Sequence, residues 1–197
     1  MSQTELLKRS VAALEAAAIP YLLTGSLASS LQGAPRATHD IDLVISVERP
    51  GLPRLLVALR TLGLSFDAGA VAEAVGSRSM FNLIDAASGD KIDFWLLTDD
   101  AYDRCRFERR QVVEALGGSL VVSAPEDTIL MKLRWLRNAG GSKKQLADAV
   151  AVFELQGETL DQSYLDDWAA RLGVTDLLAQ VRASAGPLEG QAGPLED

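Results

Sequence analysis

The feature that most constrains this chain is a pair of aspartates at the start of an aliphatic strand. Residues 39 to 45 alternate polar and apolar side chains until Val44, which predicts a strand with one solvent-facing side. Side chains two positions apart on a strand point the same way, so Asp40 and Asp42 project together from one edge. Two carboxylates held this close repel each other unless a cation or a raised pKa relieves the repulsion. A bound Mg²⁺ or Mn²⁺ is the simplest remedy, because hard divalent ions prefer carboxylate oxygen.

A glycine–serine pair ends the apolar run that precedes these aspartates. Gly25 permits a tight strand-to-helix turn and lets backbone N–H groups approach a ligand closely. Ser26 is expected to cap the next helix and to offer its hydroxyl to a phosphate at the helix N-terminus. An Asp-x-Asp pair alone is common and also fits an ordinary solvated strand end. The upstream Gly-Ser turn favours a nucleoside triphosphate site instead.

These residues together resemble a known signature. The pattern resembles that of the DNA polymerase β superfamily of nucleotidyltransferases, and within it the small bacterial AbiEii-like branch, which includes toxin–antitoxin and abortive-infection enzymes. The residues that carry this resemblance are Gly25-Ser26, followed by Gly33-x-Pro35-Arg36-x-Thr38-x-Asp40-Ile41-Asp42-Leu43. The resemblance covers residues 5 to 100 well and the helical remainder less specifically.

The resemblance implies a third carboxylate on a later strand, and Asp93 in the run from Lys91 to Leu97 matches it. Asp40, Asp42 and Asp93 are then the catalytic and metal-binding set, with Mg²⁺ or Mn²⁺ as cofactor. A nucleoside triphosphate, ATP included, is the implied substrate. The backbone N–H of Gly25 and the hydroxyl of Ser26 are expected to hold its phosphates.

A basic stretch in the C-terminal half is the second chemical feature. No acid lies between Asp127 and Asp148, and this interval holds five cationic residues: Lys132, Arg134, Arg137, Lys143 and Lys144. A solvated face explains this equally well; the functional interpretation is a cationic rim that binds triphosphate or a polyanionic acceptor. By the family resemblance, Lys132 and then Lys144 are the candidate binding residues, with Asp148 on the same later helix. Since Lys132 and Arg134 lie two apart, they are not expected to share one helical face.

Arg36 and His39 flank the aspartate strand. Arg36 is either a phosphate-binding residue or the ion-pair partner of an aspartate. His39 is expected to point to the opposite strand face from Asp40 and to make a local hydrogen bond. With one histidine and one cysteine in the chain, neither a Ser/His/Asp triad nor a Cys/His zinc cluster is expected.

The pattern of helices and strands predicts an α+β nucleotidyltransferase fold, in which helices flank a mixed β-sheet and a helical part follows. We expect a catalytic core over residues 1–123 and a helical part packed on it over 124–183. Residues 184–197 repeat Gly-Pro-Leu-Glu without periodicity and are expected to form a disordered tail. Residues 64–78 fit either a short helix or an irregular connection.

Composition limits the remaining function classes. The formal net charge of −8 argues against broad non-specific nucleic-acid binding, which needs several cationic phosphate contacts. No apolar run approaches the roughly 20 residues that span a bilayer. The first residues do not resemble a signal peptide, and a single cysteine agrees with a cytoplasmic protein.

The resulting hypothesis is a metal-dependent enzyme that moves a nucleoside monophosphate from a triphosphate to a hydroxyl of RNA or protein, as the toxin partner of a cognate antitoxin. Two alternatives stay open. An antibiotic or other small-molecule nucleotidyltransferase would need an acidic pocket for a cationic drug. A catalytically silent nucleotide-binding or interaction module is disfavoured by the intact set of three aspartates.

Overall fold

The chain mixes helices and strands up to residue 122, and its described residues beyond that point form helices and their connections. The computed structural model describes residues 2–38, 40–85, 89–138 and 142–185. The strands in these ranges are β1 (Tyr21–Thr24), β2 (Asp40–Ile45), β3 (Met80–Ile84), β4 (Lys91–Leu96), β5 (Gln111–Ala115) and β6 (Gly118–Val122). The helices are α1 (Gln3–Ala16), α2 (Gly25–Gln32), α3 (Leu52–Thr61), α4 (Ala68–Ser77), α5 (Ala101–Glu108), α6 (Pro125–Asn138), α7 (Lys143–Gln156), α8 (Gln162–Leu172) and α9 (Thr175–Ser184). The predicted α+β class is confirmed.

The strands form one mixed sheet in the order β3-β4-β2-β1-β6-β5. β2 pairs antiparallel with β1 and parallel with β4. β1 also pairs parallel with β6, and the two outer pairs, β3/β4 and β5/β6, are antiparallel. This topology places the aspartate strand β2 in the interior of the sheet, between β4 and β1.

One face of the sheet is covered by α1, α3 and α4. Every second residue of the central strands enters this core, as do apolar residues from the three helices; examples are Leu23, Leu43, Phe94, Leu7, Leu55 and Val75. Burial of each leucine stabilises the fold by about 1.5–3 kcal/mol. Because side chains alternate across a strand, the intervening residues of β2 and β4 must face the opposite side.

A second core lies among α5 to α9. It contains Leu133 of α6, Val152 of α7, Leu165 of α8 and Leu178 of α9, together with Tyr102 from α5. Both α6 and α7 contact α2, so the helical part packs beside the Gly25 turn. The proposed division at residue 123 stays a prediction.

Some segments that the sequence left open are described by the structure and others are not. The region 64–78 contains helix α4, and Asp67 caps it by accepting hydrogen bonds from the N–H groups of Gly69 and Ala70. None of the helices in the described ranges has the length and apolarity that a bilayer crossing requires. His39, for which a local hydrogen bond was predicted, lies outside the described residues, as do residues 186–197 of the predicted tail 184–197. Ser184, the first residue of that predicted tail, is the last residue of α9.

Candidate active site

Strand register brings the three predicted aspartates onto the sheet face opposite α1, α3 and α4. β2 and β4 run parallel with Asp40 opposite Lys91, Asp42 opposite Asp93 and Val44 opposite Trp95. Because residues in register point to the same side of a sheet, Asp40, Asp42, Lys91 and Asp93 form one polar patch. The three carboxylates and the ammonium thus occupy two neighbouring residue pairs of β2 and β4, Asp40/Lys91 and Asp42/Asp93.

The turn at Gly25 lies against the Asp42 carboxylate of this patch. Gly25 has a φ of +69°, and a Cβ at this position would lie 2.0 Å from Oδ2 of Asp42. Glycine is therefore required both by the left-handed backbone and by the close approach of the Asp42 carboxylate. The turn begins α2 with Thr24 as its N-cap, so the prediction that Ser26 caps the helix was wrong. Ser26 lies in the first turn because the helix starts one residue earlier, at Gly25.

Asp42 is held by an aromatic partner. The indole N–H of Trp95 donates to Asp42 Oδ1 at 3.4 Å, and the Trp95 ring meets Trp135 of α6 edge-on at 5.9 Å between centroids. Burial raises the pKa of the Asp42 carboxyl above its usual value, and the negative charges of Asp93 and Asp40 raise it further. The Trp95 hydrogen bond and the Lys132 charge oppose that increase. A cation near Asp42 would favour its ionised form in the same way.

Asp93 and Asp40 share one lysine. Lys91 Nζ lies 2.9 Å from Asp93 Oδ2 and 3.6 Å from Asp40 Oδ1. Asp93 is buried, and within the described part of the chain its Oδ1 has no hydrogen-bond partner. An orphaned buried oxygen and a cation held between two carboxylates both fit a site for a positive ion.

The metal set itself stays a prediction. As the side chains are placed, no three His, Cys, Asp or Glu residues among the described ranges converge closely enough to hold a metal ion. Asp40 and Asp93 both turn toward Lys91 instead. Asp40, Asp42 and Asp93 remain the residues that would hold Mg²⁺ or Mn²⁺, since they are the carboxylates of this patch.

A buried ion-pair network adjoins the patch. Asp148 of α7 accepts hydrogen bonds from Nε and Nη2 of Arg36, each at 2.8 Å, and from Nζ of Lys132 at 2.6 Å. Arg36 Nη2 also donates to Ser26 Oγ at 2.5 Å. Of the two roles that the sequence left open for Arg36, the structure shows the ion pair with an aspartate. The network joins three of the predicted binding residues, Ser26, Arg36 and Lys132, through Asp148.

The charges of this network support one another. Although burial opposes its ionisation, hydrogen bonds from Arg36 and Lys132 lower the pKa of Asp148 below its usual value. The hydrogen bond between Arg36 and Asp148 also raises the pKa of the Arg36 guanidinium. Burial lowers the pKa of Lys132, and Asp148 offsets part of that effect. The ammonium of Lys132 is thus buried near Asp42, and its direct partner among the described carboxylates is Asp148.

A cleft of about 620 Å³ opens over the patch. Its lining includes Gly25-Ser26, Asp40 and Asp42 on the sheet side, and Lys132, Arg134, Trp135 and Lys144 on the helical side. Lys132 and Arg134 both line the cleft although they lie two apart on α6, so lining one cleft does not require them to share one helical face. Asp93 and Arg36 lie behind this lining rather than in it. Of the eight predicted site residues, six line one cleft and the other two contact residues that do.

Three contributors to the site were not assigned a role from the sequence: Lys91, Trp95 and Trp135. Lys91 and Trp95 lie two residues on either side of Asp93, and the two-residue period of a strand was the signal that places them on its face. Trp135 follows Met131 and Lys132 at helical spacing, but only the packing of α6 over β4 brings it to Trp95. Asp148 was singled out, but not its contacts with Arg36 and Lys132.

Comparisons with known proteins agree on the fold. No protein-family model matches the sequence, and no curated protein matches it significantly. A solution structure of the antibiotic-resistance factor ANT(2'')-Ia superposes with a TM-score of 0.55 at 16% identity, covering 90% of this chain and 97% of the other. A crystal structure of ANT(2'')-Ia in complex with adenylyl-2''-tobramycin superposes with a TM-score of 0.53 at 17% identity, covering 94% and 100%. The chain therefore has a nucleotidyltransferase fold over most of its length.

Proposed function

We propose that this protein is a metal-dependent nucleotidyltransferase that moves a nucleoside monophosphate from a nucleoside triphosphate to an acceptor hydroxyl. The observation that carries the proposal is the meeting, in one cleft, of the Gly25-Ser26 turn, the Asp40/Asp42 strand and the cationic residues Lys132 and Lys144. The nucleotidyltransferase fold supports the same conclusion. A triphosphate needs donors and cations for its oxygens, and a divalent ion needs carboxylates; this cleft offers both.

In this proposal some residues bind the triphosphate and others would hold the divalent ion. Backbone N–H groups in the first turn of α2, together with Ser26 Oγ, bind phosphate oxygens where the helix dipole is positive. Lys132 and Lys144 add positive charge from the helical side. Asp40, Asp42 and Asp93 would hold Mg²⁺ or Mn²⁺, which when bound lowers the pKa of an acceptor hydroxyl and neutralises charge on the triphosphate. Asp93, buried beside Asp42, is the candidate base for the acceptor proton.

The charged residues that line the cleft limit the kinds of acceptor that it could bind. Its lining contains five cationic side chains, Arg78, Arg106, Lys132, Arg134 and Lys144, against the acids Asp40, Asp42 and Asp103. Two of those acids belong to the proposed metal set and Asp103 pairs with Arg106, so little negative charge is left for a polycation. Other lining cations are paired as well, Arg78 with Asp99, Lys132 with Asp148 and Arg134 with Asp100. The shortage of free carboxylate disfavours a polycationic acceptor, and we propose RNA or a protein hydroxyl instead, with the role of a toxin that a cognate antitoxin restrains.

An antibiotic-modifying activity is the second candidate. The observation that favours it is the superposition on a structure of ANT(2'')-Ia with adenylyl-2''-tobramycin, over 94% of this chain. Asp103 on the cleft wall would be its contact for a cationic drug, although it already pairs with Arg106 at 2.9 Å. The two candidates differ only in the acceptor and therefore need the same donor assay.

Label transfer tests both candidates and the silent alternative. Purified protein is incubated with Mg²⁺ or Mn²⁺ and each α-³²P nucleoside triphosphate, with total RNA, cell extract or a set of aminoglycosides. The Asp40→Ala/Asp42→Ala variant is the inactive control, and Asp166→Asn on α8 is the matched control outside the cleft. Label in RNA or protein with the wild type only would support the toxin, and label in a drug the second candidate. Metal-dependent nucleotide binding without any transfer would refute both and leave the silent module.

A further inference from the structure

Lys91 is the one member of the polar patch for which the proposed reaction has no role. It lies in register with Asp40 across β2 and β4, and two residues before Asp93 on its own strand. Its ammonium lies between the carboxylates of these two residues, at 3.6 and 2.9 Å. Both belong to the set that would hold a divalent ion. Lys91 thus supplies positive charge where a metal ion would supply it.

We propose that Lys91 occupies the cation position of the metal-free protein, and that a divalent ion binds by displacing its ammonium. The inference rests on the proposed function, because it takes Asp40, Asp42 and Asp93 as the metal set. It also gives a reason why these carboxylates do not converge: Asp40 and Asp93 turn toward Lys91. Without Lys91, three negative side chains would repel each other in a half-buried site.

The surroundings of Lys91 allow the exchange. Its side chain is 33% exposed, and Asp40 is 56% exposed and lines the cleft, so an ion can reach the patch from solvent. On the other side of Lys91, the residue in register on β3 is Ile84, which is 53% exposed. The flexible lysine side chain can therefore turn out past Ile84 and keep its charge hydrated. Asp93 is only 9% exposed and stays in place to receive the ion.

Two consequences follow for the metal-free protein. Lysine satisfies one oxygen of Asp93 but leaves Oδ1 without a hydrogen-bond partner among the described residues, so the ammonium is an incomplete substitute for an ion. It nevertheless neutralises part of the patch and keeps the site formed. Metal affinity is then lower than three carboxylates alone would give, since each binding event must first break the Lys91 contacts. Removing the ammonium should therefore strengthen metal binding while weakening the metal-free fold.

Titration of the metal-free protein with a divalent ion tests the displacement of Lys91 without any measurement of activity. Mn²⁺ is titrated into wild type, Lys91→Gln and Lys91→Arg, and free Mn²⁺ is followed by electron paramagnetic resonance. Lys8→Gln is the matched control, because it removes the same charge from α1, where Lys8 Nζ donates to the carbonyl of Gly117 rather than to a carboxylate of the patch. We expect Lys91→Gln to bind Mn²⁺ about tenfold more tightly. Lys91→Arg and Lys8→Gln should stay within about twofold of wild type.

A thermal scan of the same proteins gives a second readout. Without metal, Lys91→Gln should melt below wild type, and saturating Mn²⁺ should raise its melting temperature more than it raises that of the wild type. Equal or weaker Mn²⁺ binding by Lys91→Gln, with wild type binding normally and Asp93→Asn losing it, would overturn this inference alone. No Mn²⁺ binding by either wild type or Lys91→Gln would overturn the metal-dependent function as well.

Discussion

Replacing Asp148 by asparagine removes the shared counter-charge of Arg36 and Lys132 while keeping the size of the side chain. Asp148 is 8% exposed and Lys132 is 5% exposed, so water cannot replace the lost carboxylate. Arg36, at 24% exposure, remains partly hydrated and loses less. The cost of the substitution therefore falls mainly on Lys132, whose ammonium stays buried without its partner.

The magnitude follows from this burial. Breaking a buried ion pair by removing one partner costs about 3–5 kcal/mol, and partial access of water to Arg36 places this network at the lower end. We expect Asp148→Asn to lower the free energy of unfolding by about 3 kcal/mol at pH 7. For a chain of this length, that corresponds to a melting temperature about 6–12 °C lower. The second substitution Lys132→Met, added to Asp148→Asn, should recover at least half of the loss because the most deeply buried cation of the network is then removed.

Urea unfolding followed by tryptophan fluorescence measures these differences. The matched control is Asp166→Asn, which breaks the surface pair with Arg182 at 2.7 Å and should cost less than about 1 kcal/mol. The pKa of Asp148 is held below its ordinary value of 3.8, so its contribution is complete above pH 3.8 and is lost as the pH falls further. A loss below about 1 kcal/mol at pH 7 would refute the reasoning. So would a double variant less stable than Asp148→Asn.

Three further substitutions test the polar patch. Gly25→Ala would bring a methyl group against the Asp42 carboxylate and force alanine to a φ of +69°. We therefore expect the free energy of unfolding in urea to fall by at least about 1–2 kcal/mol, together with loss of label transfer. A variant with wild-type activity would contradict the close packing. Trp95→Phe keeps a ring against Trp135 but removes the N–H whose hydrogen bond lowers the pKa of Asp42. The acid limb of the pH–rate profile should therefore move to higher pH, and an unchanged profile would count against this role of Trp95. Burial raises the pKa of Asp42, which makes its ionised form unfavourable in the fold, so Asp42→Asn should be more stable than wild type at pH 7. That gain should fade as the pH falls through the raised pKa of the folded state and should be lost below 3.8, where the carboxyl becomes protonated in the unfolded state as well. Unfolding curves at pH 7, 5 and 4 would expose the opposite trend.

The sequence predicted well those parts of the site that depend on local pattern. Period-two alternation identified the strand that carries Asp40 and Asp42, and the Gly25-Ser26 pair identified the turn beside it. The order of these motifs along the chain also pointed to the fold that the solved structures share. Such features are encoded within a few residues, and for that reason a single sequence is enough to predict them.

The contacts between distant segments could not be predicted in this way. Arg36 and Asp148 are 112 residues apart, and their ion pair depends on how α7 packs against α2. A charge run predicts that cations are present but not which carboxylate they meet. The place of Lys132 and Arg134 in one cleft has the same origin, because it follows from the path of α6 over the sheet rather than from helical spacing. The metal set and the acceptor stay predictions, since they depend on molecules outside the chain.

The central position of β1 has a consequence for biosynthesis. This strand pairs in parallel with β6, and the hydroxyl of Tyr21 accepts a hydrogen bond from the N–H of Val121, 100 residues later. A growing chain can form the antiparallel β1/β2 pair early, but it cannot complete the sheet until β6 has left the ribosome. Lys132 and Asp148 emerge later still. A polypeptide synthesised only as far as β6 therefore carries Asp40, Asp42 and Asp93 without Lys132 and Asp148, and the proposed transfer should begin only after α7 has been made.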